Sequence, residues 1–225
     1  MRAEYGLFTR VAITIPKHRI QLIGFRSNPF HRLCRRVSIK VETAGLTGSE
    51  ENRSSLRWLA PILPEKEAPR VLSEVQPEVD WGAMEWRPLH QRTFARLLRI
   101  RLIWLAIATL VLAWTTGVTG FLALLAFPMV LAYARGYFRY AGWAVTPTAI
   151  AHRSGWVVKQ QSIVRYPKIQ VVTLTRNPFD RRWGMATVSA DTAGADPAGH
   201  AVRIRFLDTD SALALRDLLE EKTQA

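Results

Sequence analysis

Cysteine is almost missing from this chain: Cys34 stands alone among 225 residues. No internal disulfide can form, and no multi-cysteine metal cluster exists. Histidine is sparse too. His18, His31, His90, His152 and His200 are scattered, and no His-Glu-x-x-His pair occurs. His31 and Cys34 stand three apart, a ligand-like spacing, but two ligands do not make a site and no second pair completes one. A phosphate-cradling glycine loop and a Gly-x-Ser-x-Gly elbow are both absent, and Cys34 sits in no catalytic motif. These gaps predict no catalytic residue, no metal, no cofactor and no small-molecule substrate, so the chain reads as a non-enzymatic protein. Acid is short as well: 18 Asp and Glu face 31 Lys and Arg, a net charge of +13. Such an excess points to nucleic acid, an anionic membrane surface or the cytoplasmic flanks of membrane spans.

What the chain has instead is a long apolar run. Leu102 to Ala134 is 33 residues without Asp, Glu, Lys, Arg or His. As one helix it would extend roughly 50 Å at about 1.5 Å per residue, well beyond a hydrocarbon core of about 30 Å. Thr115-Thr116-Gly117-Val118-Thr119-Gly120 in its middle favours a turn. The expectation is therefore a two-helix transmembrane hairpin over 94–140, with spans of about Phe94 to Thr115 and Thr119 to Tyr140, the second kinked by Pro128. A buried hairpin of a soluble protein and a re-entrant loop are the alternatives. Arg96, Arg99 and Arg101 before the run, and Arg135 and Arg139 after it, form the membrane flank and would snorkel to the headgroups.

Charge also orients the hairpin. Positive flanks stay cytoplasmic and the central turn carries no charge, so both soluble modules face the cytoplasm in a multi-pass protein of the cell (inner) membrane. Trp81, Trp86, Trp104, Trp114 and Trp143, with Tyr133, Tyr137, Phe138 and Tyr140, fit interfacial aromatic belts. Nucleic acid is disfavoured, because the aromatics do not interleave with basic residues as stacking platforms do. The hairpin cores hold no ionisable residue, which disfavours a transporter or channel. The first ten residues contain no apolar signal core, and no lipidation signature occurs, so attachment is expected from within the chain.

The apolar run separates two related stretches. Residues 6–45 match residues 155–194, 149 positions later, and ten of the forty positions are identical: Gly6/Gly155, Ile20/Ile169, Gln21/Gln170, Asn28/Asn177, Pro29/Pro178, Phe30/Phe179, Arg32/Arg181, Thr43/Thr192, Ala44/Ala193 and Gly45/Gly194. Self-similarity sets the structural unit, and two copies read as two domains of one type. After Trp143 come short alternating segments: Ala144 to Thr146, Ala149 to His152, Trp156 to Tyr166, Ile169 to Leu174, Met185 to Ala190 and Ala201 to Leu207, with Gly194 to Gly199 as a loop. Asn177-Pro178-Phe179-Asp180 is a turn by its chemistry. Ala212, Leu215, Leu218 and Leu219 form the apolar stripe of a closing helix, and Asp208 to Ser211 offer caps.

Tyr166-Pro167-Lys168-Ile169-Gln170, the Asn177-Pro178 turn followed by Arg181 to Val188, the Asp191-Thr192-Ala193-Gly194 end and the Ala212 to Leu219 helix resemble the bacterial PH-like domain of the YdbS/YdbT-like membrane proteins. The resemblance covers Trp143 to about Glu221, and Gly6 to Val75 as a less complete copy. It implies a bacterial, membrane α plus β architecture: two-span hairpins alternating with cytoplasmic PH-like antiparallel β-barrel modules, each closed by a C-terminal helix. It implies a family whose biochemical role is poorly defined, and it supplies no catalytic residue.

The expected division is an incomplete PH-like module over 1–76 lacking its first strand, an interfacial linker over 77–93, the hairpin over 94–140 and a complete module over 141–222. In the first copy Ser54 to Leu59 is the expected last strand, Pro64 to Val75 a closing helix limited by Pro69, and Arg35-Arg36 replaces Gly184-Met185. Its missing strand leaves either an open edge covered by another segment, or a chain that continues a longer repeat protein. Arg176, Arg181, Arg182 and Lys168 in the second module, with Arg32, Arg35 and Arg36 in the first, are the candidate contacts to lipid or a partner. Each would gain on the order of 1 kcal/mol beside an anionic leaflet; plain solvation of a basic surface is the bland alternative. Besides the bilayer, the expected partner is a protein or a second copy bound by the displayed modules, with anionic headgroup binding at the inner leaflet as the competing reading.

Overall fold

The computed structural model describes residues 2–5, 11–14, 19–43, 58–79, 84–193 and 202–224. Gly6, the Gly45 and Gly194 ends of the matched stretches, the Gly194 to Gly199 loop, Ser54 to Arg57 and Trp81 lie outside them. In the first copy, β1 (Arg2–Tyr5) pairs with β2 (Val11–Thr14). There follow β3 (Ile20–Ser27), a short helix α1 (Pro29–Leu33), β4 (Arg36–Thr43), β5 (Trp58–Pro64) and helix α2 (Ala68–Val75). The helix expected from Pro64 begins only at Ala68, and Pro69 falls in its first turn, where a missing N–H goes unnoticed and the proline sets the start. Then come β6 (Arg87–Pro88), α3 (Thr93–Thr116), α4 (Phe127–Tyr140), β7 (Gly142–Val145), β8 (Ala149–Ser154), β9 (Lys159–Arg165), β10 (Ile169–Thr175), α5 (Pro178–Arg182), β11 (Met185–Thr192), β12 (Val202–Asp208) and α6 (Thr209–Gln224).

Moved along by 149 positions, the starts of β3, α1 and β4 fall on those of β10, α5 and β11. Register follows as well. Ile20 pairs with Thr43 and Leu22 with Glu42 across a bulge, and Ile169 pairs with Thr192 and Val171 with Asp191 across a bulge at the same place.

The expected closed barrels are not what these strands build. Seven of them form one sheet in the order β5-β4-β3-β9-β8-β7-β6, and β10-β11-β12 form a separate three-stranded sheet. β3 of the first copy pairs antiparallel with β9 of the second, from Leu22 opposite Val164 to Ser27 opposite Lys159. An edge already paired cannot curl round to close a barrel of its own, so the copies form layers that share a sheet. Period-2 alternation lets the shared strands serve two cores. Trp143, Ile150 and Val164 join the second copy's core with Val188, Ile204, Leu207, Leu215 and Leu219. Ala144, Ala149, Ala151 and Ile163 join the first copy's core with Ile20, Ile23, Ile39 and Leu72. Leu22 crosses over, reaching from β3 into the second core.

The described residues of 77–93 are packed on the two copies. Val79 is buried in the first core, and Glu78 pairs with Arg165 at 3.1 Å while its carbonyl accepts the Thr148 hydroxyl at 3.0 Å. β6 pairs with β7, Arg87 opposite Trp143, and Leu89 is buried in the second core. The second copy's part of the sheet thus begins before the apolar helices, which are inserted between β6 and β7.

The stretch Thr93–Tyr140 is long and apolar enough to cross a membrane, and only 6% of its most apolar window is buried. It folds back on itself. The chain reverses at Gly117, φ 67°, Gly120 lies against the backbone of Leu112 and Ala113 with no room for a side chain, and Phe94 meets Phe138 with ring centroids 6.2 Å apart. The return leg is 3-10 helix from Gly117 to Ala126 and becomes α-helical at Phe127. Pro128 therefore stands in the first turn of α4, at that switch.

Candidate membrane-facing site

Strand direction decides what lies near the apolar helices. α3 leaves after β6 and α4 returns into β7, so the end of the sheet holding Arg87 and Gly142 is the helix-side end. Gly142 lies opposite Arg153 on β8, Ser154 opposite Gln160 on β9, and Lys159 opposite Ser27 at the end of β3. The Gly155 to Val158 turn and α1 therefore sit at that end. β9 runs away from it and β10 returns, which brings α5 there too.

Contacts fix the level of these turns against the helices. The Trp156 ring fills the space a side chain at Gly136 would need, so glycine permits the approach. Trp156 meets Tyr133 edge-on at 6.0 Å, and the Arg101 guanidinium lies 3.9 Å from the Tyr133 ring centroid. Beside Trp156, the Val157 carbonyl accepts a hydrogen bond from Arg32 of α1 at 3.1 Å.

α5 is tied down more firmly. The Asp180 carboxylate accepts the Asn177 N–H at 3.2 Å, closing the helix N-terminus, and also pairs with Arg96 of α3. Their side chains are 4% and 14% exposed. Arg96 lies 4.8 Å from the Phe206 ring, and Arg99 lies 4.6 Å from the Trp183 ring. Phe206 itself holds φ 63° beside the β11–β12 bulge. Its carbonyl accepts the His90 N–H at 3.3 Å and the Thr93 hydroxyl at 3.4 Å. The strained backbone of Phe206 thus sits where α3 is fastened to the second copy.

Two cavities accompany this seam. One of about 430 Å³ opens between the copies, lined among others by Arg32, Arg36, Lys159, Glu65, Tyr140 and Trp86. Among the described residues, three cations there face one carboxylate. The Lys159 ammonium lies 4.5 Å from the Tyr140 ring, and Arg153 lies 4.6 Å from that of Trp86; burial lowers the Arg153 pKa, with Tyr140 opposing. The other cavity, about 300 Å³, holds His152, Ser154, Ser162, Arg203 and Arg205. Burial first, then the Arg205 charge, bring His152 down to about 4, so its imidazole is neutral at pH 7.

The arginines singled out from sequence are divided by the structure. Arg32 and Arg36 come together at the inter-copy cavity, with Arg35 between them at φ 50° and its carbonyl accepting the Glu65 N–H at 3.0 Å. Arg176, Arg181 and Arg182 are exposed on or beside α5, while Lys168 stands at the opposite end of β10, so these four do not converge on one pocket. On the membrane flank, Arg96, Arg99 and Arg101 turn to protein partners, whereas Arg135 and Arg139 are exposed. Sequence reasoning missed the Arg96–Asp180 tie, the Trp156–Gly136 fit and Glu65. Asp180 was visible as part of the Asn177-Pro178-Phe179-Asp180 turn, but nothing in a sequence points from it to an arginine 84 residues earlier.

The model of the family described as bacterial PH domain matches residues 1–79 and 96–223. Each segment holds one copy. The UPF0699 transmembrane protein YdbT of Bacillus subtilis (strain 168) is 23% identical over 184 residues, 82% of this chain and 37% of that protein. The chain thus spans little more than a third of that relative's length. No solved structure matches significantly.

Proposed function

We propose, from the premise that this chain belongs to the bacterial PH domain family, that it is a non-enzymatic membrane protein whose two PH-like copies work as one rigid unit for protein–protein interaction or assembly. In this reading the copies are internal repeats, Thr93–Tyr140 crosses the inner membrane as two antiparallel spans, and both copies face the cytoplasm. The arginines at both ends and the uncharged Gly117 turn favour that orientation. The observation that carries the reading is the β3–β9 pairing. A ladder of main-chain hydrogen bonds and two interleaved cores hold the copies in one orientation, as a scaffold requires and independent binding domains do not. Photo-crosslinkers at exposed sites of the full chain in native membranes test it. A discrete adduct with a second protein or a second copy is expected, weakened by Ile163→Glu, which places a charge in the first core. No protein adduct from any part of the soluble surface would end this reading.

A second reading, contact with anionic lipid headgroups, is favoured by the cavity where Arg32, Arg36 and Lys159 face Glu65 at the helix-side end. Full-length protein in nanodiscs of mixed neutral and anionic lipid tests it. Arg32→Glu with Arg36→Glu should abolish enrichment of anionic lipid around the protein, more than Arg176→Glu with Arg182→Glu does; unchanged enrichment removes the lipid role.

A further inference from the structure

Turns between strands ordinarily display polar residues, yet both Asn-Pro-Phe turns of this chain display large apolar ones. Phe30 is 79% exposed, Leu33 83% and Phe179 73%, and Val157 in the neighbouring turn is also exposed. A single exposed hydrophobe needs no explanation. Here, however, they gather at one end of the fold, at equivalent places in both copies, and arginines flank each: Arg32, Arg35 and Arg36 around the first, Arg181 and Arg182 after the other. Aromatic and aliphatic side chains set among arginines make the composition of a segment lying in a membrane interface.

Position gives the decisive argument. α5 is tied to the first two turns of α3 by Arg96–Asp180 and by Arg99 over Trp183. α1 is tied to the Val157 carbonyl, next to Trp156, which packs on α4 at Gly136 and Tyr133. Both turns are therefore held beside the segments where Arg96, Arg99, Arg101 and Arg135 flank the apolar run, the headgroup level of any bilayer the helices enter.

We propose that Phe30 with Leu33, and Phe179, are membrane wedges: they enter the headgroup–acyl boundary of the leaflet from which the helices depart, giving each copy its own lipid contact beside the hairpin. The ligand is the bilayer interface itself, whichever soluble partner the copies bind. This rests on the reading of Thr93–Tyr140 as membrane-inserted.

Cys34, exposed and adjacent to Leu33, is a built-in probe position. The full chain, labelled there with an environment-sensitive fluorophore, is reconstituted in vesicles of phosphatidylcholine and phosphatidylglycerol. On a Cys34→Ser background the label is moved to Phe179→Cys, to Leu110→Cys in α3, and to Pro147→Cys in the β7–β8 turn at the opposite end of the sheet. Labels at 34 and 179 should be quenched by shallow lipid-borne spin labels and shielded from iodide, that at 110 quenched by deep spin labels, and that at 147 reached by iodide alone. Phe30→Ser with Leu33→Ser should abolish lipid quenching at 34 and leave that at 110 unchanged. Loss of quenching at 110 would overturn the membrane reading itself. Quenching at 110 with labels at 34 and 179 behaving like that at 147 would overturn only the wedges, as would quenching at 34 that survives the double serine variant.

Discussion

Where the second copy carries Asp180, Trp183 and Gly184, the first carries His31, Cys34 and Arg35 at the equivalent positions. In the second copy the carboxylate caps its own helix and holds Arg96, and the indole receives Arg99. The first copy has neither. Among the described residues, its Asn28 Oδ1 is buried without a partner, and His31 lies 3.4 Å from the Ser38 hydroxyl. Attachment therefore differs in kind: side chains fasten the second copy to the apolar helices, whereas main-chain pairing of β3 with β9 fastens the first copy to the second. Strands and their register persist between copies because the backbone ladder sets them. The side chains that fasten one copy to the apolar helices are the ones that differ in the other.

The sharpest way to break this comparison is at Asp180. Asp180→Ala leaves Arg96 partly buried and unpaired, which should cost about 3–5 kcal/mol, while His31→Ala should stay within about 0.5 kcal/mol. Chemical unfolding in detergent, followed by protection of each copy from proteolysis, reads both. Equal losses would mean that the two turns carry equal loads. Ile163→Ala comes next, at about 2–4 kcal/mol. Ile163 belongs to β9 of the second copy but is buried in the first copy's core, whereas Val164 beside it faces the second. Ile163→Ala should therefore speed amide exchange in β4 more than Val164→Ala does. The reverse order would show that the shared sheet does not couple the copies in this way.

A pH-dependent difference should follow from His152, whose equivalent in the first copy is Ala3. Burial and the charge of Arg205 hold the folded imidazole near 4, below its ordinary 6.5, and Arg203 faces the same cleft. The unfolded chain takes up the proton first as pH falls, so stability is full above about 6.5 and is lost progressively down to about 4, by at most about 3 kcal/mol. His152→Gln should flatten that loss. Unfolding at pH 7 and pH 5 with probes in each copy measures it, and an equal pH loss in the variant would place the cause elsewhere.

Much of the fold was legible because its signals are local. The glycines after Thr116, the Asn177-Pro178 turn and the alternation in β11 each act over a few residues. The β3–β9 join left a fainter trace: Ala149-Ile150-Ala151 and Ile20 to Phe25 are nearly apolar on both faces, the mark of strands covered from both sides. Such a run says that a second layer exists and does not name it, so separate barrels were the natural expectation. β6 has two residues and is defined only by its partner β7. The helix-side site was legible as basic residues and a repeated Asn-Pro-Phe, but not as an arrangement, because Arg96 meets Asp180 only after the sheet has brought α5 to that end.

The smallest expected effect isolates the backbone from every contact. Gly184 and Arg35 occupy one repeat position, and both hold positive φ, 65° and 50°. No atom lies within 4 Å of where a Cβ at Gly184 would stand, so Gly184→Ala tests strain alone and should cost about 1 kcal/mol. In the first copy that strain is already present. Arg35→Gly should relieve it, with a smaller gain of about 0.5 kcal/mol because glycine also loses more freedom on folding. Opposite signs at one repeat position, read from the unfolding midpoints of the two variants, would show that both copies demand the same left-handed turn and that only the second has the residue suited to it. A loss in both variants would instead mean that the Arg35 side chain contributes more than its backbone costs.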